Sequence, residues 1–274
     1  MNFVSGFGGK KTPWDKEWNR LIRDEAGFCD KQQKAKTFFL KEKLEGKVPP
    51  SLEETLNSAF CKAFQIIFEK GTSVIEKTCQ KEKKEYDYKL REYGCQLKNS
   101  RKNLKAFSKS AGMSAAKNVA VSAAEGIGTG FFGVGIPDIF LFTAMIFKSI
   151  YEIALSYGFS YDTPEEQIFI LRLILASVTY GEEFKQGETL LNQDMEESRE
   201  GIGDRKRLLS CTAQKLADEL LYMKFIQGIP VIGVAGGVMD CVYLKRITDY
   251  AGLKYRRRFL IRKRREQNCT ERNT

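Results

Sequence analysis

Four carboxylates, Asp138, Glu165, Glu166 and Asp240, stand where acid–base chemistry could be built. Convergent carboxyl groups can divide into a proton donor and a proton acceptor, and carboxylates alone can hold a hard cation. A hydrolase is the reaction class that such a set would serve. The 274-residue chain has no histidine. That removes the usual base at neutral pH, the serine and cysteine triads that use imidazole, and every histidine-based metal site. Each carboxylate also has a plainer role. Asp138 follows Pro137 and precedes an apolar run, where aspartate caps a helix. Asp240 has Lys245 and Arg246 nearby as ion-pair partners. Glu165 and Glu166 fall in a first helical turn, where negative charge meets the positive end of the dipole. No catalytic residue, metal or cofactor is assigned on this basis.

Phosphate chemistry is the second possibility, because Gly128-Thr-Gly-Phe-Phe-Gly133 is formally a G-x-G-x-x-G sequence. A dinucleotide cradle needs a strand before the glycines and βαβ units around them. Here an alanine-rich stretch with small residues at Ala116, Ala120 and Ala124 comes first, a spacing that gives one helix face open to close approach. Gly126, Gly128, Gly130, Gly133, Gly135 and Pro137, with Pro230, Gly233, Gly236 and Gly237 in the related Gly-Ile-Pro segment further on, are therefore read as helix-packing or membrane-inserting positions. Gly126–Phe147 is long enough for a span, but Pro137 interrupts it and Asp138 would cost about 2.5–3.5 kcal/mol at its centre. A soluble core and shallow membrane insertion both remain open.

Charge gives the third possibility. The net charge is +10, an excess that attracts phosphate groups. Eight basic residues fall within the twelve positions from Lys254 to Arg265. Lys254, Arg256, Arg257, Arg258, Arg262, Lys263, Arg264 and Arg265 are interleaved with Tyr255 and Phe259, the composition of a helix that lies on an anionic membrane. The same cations could neutralise nucleic-acid phosphates, although no recognised nucleic-acid motif accompanies them. The plainer reading is a solvated terminal helix whose aromatic residues dock on the core.

The elements that must position these residues are helical. Trp14, Trp18, Leu21 and Ile22 suggest a short amphipathic helix in a basic extension, residues 1–48. Ser51-Leu-Glu-Glu54 reads as a capping box, and Leu52 to Phe68 holds an apolar face at helical spacing. Residues 81–109 read as a solvated helix or connector. Gly158 can end a helix. Thr163-Pro-Glu-Glu166 starts another, with Glu166 closing the box. Residues 181–203 read as an exposed connection, and Asp204 as the next cap. The expected fold is an all-α multi-helix bundle with two glycine-rich apolar elements, spanning 49–265 and followed by a polar tail, 266–274. Seven cysteines without paired spacing suggest a reducing, cytoplasmic setting.

In order along the chain, Gly133-Val-Gly-Ile-Pro-Asp138, Tyr157-Gly158, Pro164-Glu165, Ile229-Pro-Val-Ile-Gly233 with Gly236-Gly237, Ala251, Tyr255 and Arg258-Phe259-Leu260 resemble the EcsC family, over about residues 51 to 262. Asp240 stands where that family usually has asparagine. The resemblance implies an α-helical protein without an established enzymatic activity, associated with the membrane or a transporter, and together with the basic helix it leads to the expectation of a protein peripheral to the cytoplasmic face of the membrane. It also implies a transporter or other protein partner: an accessory role beside an ABC transporter or in protein secretion. Nucleic acid is the alternative partner, and a carboxylate-based hydrolase the alternative activity.

Overall fold

A computed structural model describes residues 12–34, 50–70, 79–129, 136–197, 204–226 and 236–272. Among them the elements are all helices: α1 Pro13–Lys34, α2 Pro50–Lys70, α3 Lys81–Leu97, α4 Arg101–Thr129, α5 Ile136–Ser156, α6 Pro164–Ser177, α7 Gly181–Glu197, α8 Arg205–Ile226 and α9 Gly236–Arg272. This is the all-α bundle expected from the apolar spacing.

The bundle is built on α5 and α9. α4 lies along both, α2 packs between α5 and α8, and α6 bridges α8 and α9. α1 crosses α9, α4 and α7, while α3 rests on α4 and α5. The predicted apolar face of α2 is buried through Leu56, Phe60, Phe64 and Ile67, and Phe64 meets Phe147 of α5 edge-on at 5.1 Å. α5 is buried along most of its length. Its serine and threonine hydroxyls at three buried positions are satisfied within the helix: Thr143 donates to Ile139, Ser149 to Met145 and Ser156 to Glu152, so burial strands none of these three donors. Its stretch Ile139–Ser156 is long and apolar enough to cross a membrane, and 67% of it is covered by protein.

Local signals set several helix ends. Thr163 accepts a hydrogen bond from the Glu166 amide with Pro164 at the first helical position. Asp204 accepts from the amides of Lys206 and Arg207. Gly158 ends α5 at φ +73°. There the Phe159 amide reaches Ala154 and the Gly158 amide reaches Leu155, the pairing of a Schellman motif. α2 starts at Pro50, so Ser51 sits inside its first turn, its carbonyl accepting the Thr55 hydroxyl, and does not stand before it as a cap.

Three expectations need correction. Residues 13–34 are not an extension: α1 buries Leu21, Glu17 and Glu25, and its contacts with α9, α4 and α7 make it part of the bundle. Most of residues 181–203 is α7 rather than an exposed connection, anchored by buried Phe184, Leu191 and Met195. The tail from 266 continues α9 as far as Arg272.

Glycine is required at Gly158 for two reasons. An L side chain at that φ is strained, and a Cβ there would lie 2.3–2.6 Å from the Tyr88 ring. Tyr88 cannot simply swing away, because its hydroxyl accepts from Arg262 at 2.9 Å. At Gly181, φ +57°, a Cβ would meet nothing within 4 Å. Gly181→Ala should therefore cost about 1 kcal/mol from the left-handed backbone alone, and Gly158→Ala about 2 kcal/mol or more, compared by denaturant unfolding.

Candidate functional site

The basic segment lies at the centre of the protein. Residues 254–260 are all buried, and seven consecutive helical positions cover the whole circumference, so α9 is enclosed by protein there. Lys254 is 0% exposed, and Arg256, Arg257 and Arg258 are 6–7% exposed. The expectation of a cationic face open to a membrane fails for these four residues, because a cation enclosed in protein must find a carboxylate.

Each of them does. Lys254 Nζ lies 2.9 Å from Glu25 Oε1, 2.5 Å from Glu188 Oε1 and 3.0 Å from Asn192 Oδ1. Arg256 donates to Glu17 and to Asp24, each at 2.9 Å. Arg257 donates from Nε and Nη2 to the two oxygens of Glu25, at 3.0 and 2.7 Å, a forked pair, and reaches Glu196 at 3.2 Å. Arg258 donates to both oxygens of Glu166 at 2.8 and 2.9 Å. Its guanidinium lies 4.2 Å from the Phe169 ring centroid and 4.4 Å from that of Phe159, a geometry that adds cation–π attraction.

The outer part of the segment is also engaged. Arg262 donates to the Tyr157 and Gly158 carbonyls at 2.8 and 3.0 Å. Arg265 donates to the Glu196 carbonyl at 2.6 Å. Each thereby serves the carbonyl-bearing, negative end of a helix, α5 and α7 respectively. Lys263 pairs with Glu92 of α3. Arg264 and Arg265 are exposed. Tyr255 donates to Glu166, and Phe259 packs on Phe107 at 4.5 Å between centroids. The partners Glu17, Asp24, Glu25, Glu188 and Glu196 were not singled out from the sequence. Their traceable signal is acidic residues seven or eight apart, Glu17 with Asp24 and Glu25 in α1 and Glu188 with Glu196 in α7, in helices that also bury Leu21, Phe184 and Leu191.

Of the four candidate carboxylates, Glu166 is the buried partner of Arg258 and Tyr255, while Glu165 is exposed. The two diverge and form no dyad. The side chains of Asp138 and Asp240 lie outside the described residues; of the cations near Asp240, Lys245 pairs with Asp249 and Arg246 with Tyr180. α5 begins at Ile136, which puts Asp138 in its first turn rather than before it. Gly126 and Gly128 belong to the last turns of α4, not to a turn after a strand, so the G-x-G-x-x-G sequence is no phosphate cradle. Gly130, Gly133, Gly135, Pro230 and Gly233 lie outside the described residues, as does the side chain of Pro137; Gly236 and Gly237 open α9.

Two open clefts flank the network. One, of about 470 Å³, runs between α4, α5 and α9 over Ala111, Gly112, Ala115, Ile153 and Gly252. The other, of about 660 Å³, is lined by Trp14, Glu92, Cys95, Phe259 and Lys263. Burial pushes the Cys95 thiol above its ordinary pKa, away from the nucleophilic thiolate. No group of three potential metal ligands occurs among the described residues. What the network does chemically is neutralise charge and fix helices.

A model of the EcsC protein family matches residues 16–260, beginning in α1 and ending within the buried segment of α9. No curated protein and no solved structure matches the chain.

Glu25 is the hub of the network. Burial alone would push its carboxyl up; the hydrogen bond from Arg257 and the charges of Lys254 and Arg257 outweigh that and hold it below the ordinary value of 4.5. A depressed folded pKa contributes stability that is complete above the unfolded value and is lost as pH falls through the folded one. Glu25→Gln should cost about 3 kcal/mol at neutral pH. It should also flatten the fall in stability that the native chain shows on acidification below about pH 4.5, as read by denaturant midpoints along a pH series.

Proposed function

The chain belongs to the EcsC protein family, and on that premise we propose that it is a non-enzymatic protein held peripherally at the cytoplasmic face of an anionic membrane. The observation that carries this reading is where charge remains once the buried pairs are set aside. Residues 81–109, which span α3 and the start of α4, contain ten basic and four acidic side chains. Lys83, Lys89, Lys98, Lys102 and Lys109 are exposed there. An anionic leaflet attracts each such cation by about 1 kcal/mol. Cysteine usage without paired spacing supports the reducing side of the membrane. A place beside an ABC transporter or in protein secretion is the finer part of the same proposal and rests on the family alone.

The protein should sediment with vesicles that contain phosphatidylglycerol and stay in solution with phosphatidylcholine vesicles, and high salt should release it. Changing Lys83, Lys89, Lys98 and Lys102 to glutamine should weaken vesicle binding by up to about fivefold per lysine, without altering the melting temperature. Binding to single-stranded oligonucleotides with a steep salt dependence and none to vesicles would replace this reading with a nucleic-acid one.

A further inference from the structure

α3 is turned inside out relative to an ordinary surface helix. An amphipathic helix normally lays its apolar stripe on the core. In α3 no residue is fully buried, and Tyr86, Leu90, Tyr93 and Leu97 are 63, 53, 60 and 71% exposed. At 3.6 residues per turn, their four-three-four spacing puts all four within about 60° of one another, in a stripe about 17 Å long.

The face toward the protein is mostly polar, although Tyr88 packs on Phe107 there. Lys84 approaches Glu152 at 3.6 Å and donates to Ser114 at 2.6 Å. Glu92 pairs with Lys263, the Tyr88 hydroxyl accepts from Arg262, and Lys81 lies 3.4 Å from Asp162. These links fix which way α3 faces, so the outward stripe is held in place.

We propose that this outer face of α3 is the membrane-docking element, with Leu90 and Leu97 entering the interface and Tyr86 and Tyr93 at headgroup depth. The proposal rests on the membrane reading above and names its surface. Charge selects the occupant. Lys83 and Lys89 flank the stripe, one on each side, and Lys98 and Lys102 follow its C-terminal end, all four exposed. The exposed acids of α3, Glu82 and Glu85, are confined to its N-terminal end. A second copy packing parallel along this stripe would bring like charges together, and an antiparallel one would set Glu82 and Glu85 against Lys98 and Lys102 but leave Lys89, beside the middle of the stripe, without an exposed acid opposite it. Nucleic-acid bases would stack on the tyrosines but gain little from the two leucines. An anionic bilayer satisfies both: phosphates meet the lysines, acyl chains the leucines, and tyrosine is at home at the boundary.

The test uses the full chain with vesicles containing phosphatidylglycerol. Leu90→Glu combined with Leu97→Glu should lower binding at least about tenfold, with circular dichroism and melting temperature unchanged. Tyr93→Trp should add emission that shifts to the blue on vesicle addition and is quenched by lipids brominated on their acyl chains. If the native chain fails to bind any vesicle, the membrane reading falls and this proposal with it. If the native chain binds and the leucine variant binds equally, or the emission added by Tyr93→Trp is not quenched, α3 is not the docking surface although the membrane reading stands. A native dimer that the leucine variant dissociates would assign the stripe to a second copy and overturn the proposal.

Discussion

Enclosing residues 254–260 on every side is the constraint on which the rest of the structure depends. α9 is 37 residues long, and in its middle four cations alternate with aromatic and aliphatic side chains, so no rotation could put apolar residues inward and charge outward. The surroundings must supply carboxylates from several directions: α1 provides Glu17, Asp24 and Glu25, α6 provides Glu166, and α7 provides Glu188 and Glu196. Buried pairs of this kind add little net stability compared with apolar residues of the same volume. Their force lies in the asymmetry, since losing one partner leaves a charge stranded at a cost of about 3–5 kcal/mol. They therefore fix which helices sit around α9 more than how tightly they hold.

This explains why α1 is integral although few of its residues are apolar. Leu21 is fully buried, but α1's distinctive contribution is three acids that contact Lys254, Arg256 and Arg257. The family match beginning at residue 16 includes all three. Farther out on α9, the cations turn to helix ends: Arg262 and Arg265 donate to terminal carbonyls of α5 and α7. One run of basic residues thus does two jobs in sequence, pairing with carboxylates where α9 is enclosed and with the negative ends of helix dipoles where it emerges.

Local features were legible from the chain because they act over three or four residues. Thr163 with Pro164, Asp204, Gly158 and the apolar face of α2 fall where their spacing put them. The central network was not legible, because its partners are far apart: Glu25 and Lys254 are separated by 229 positions, and no local pattern matches an acid to a base over that distance. α7 was missed for a related reason. Within Gly181–Glu197 only three residues are fully buried apolar ones, so composition suggested a connection, while Glu188 and Glu196 hold it to α9. A clue to enclosure was present nonetheless, since Tyr255, Phe259 and Leu260 lie on neighbouring faces and arginines fill the gaps between them.

The inverted helix α3 follows from the same demand for paired charge. Glu152 is a buried carboxylate on the predominantly apolar α5 and needs counter-groups; Asn118 donates to it at 3.1 Å and Lys84 approaches at 3.6 Å. Lys263, at the edge of the enclosed segment, needs Glu92. Both demands fall on α3, and meeting them turns its polar side toward the protein. Tyr86, Leu90, Tyr93 and Leu97 lie on the opposite side and are consequently presented to solvent. A helix recruited to neutralise the core has its apolar stripe left over, and that stripe lies among the lysines that the interior does not use.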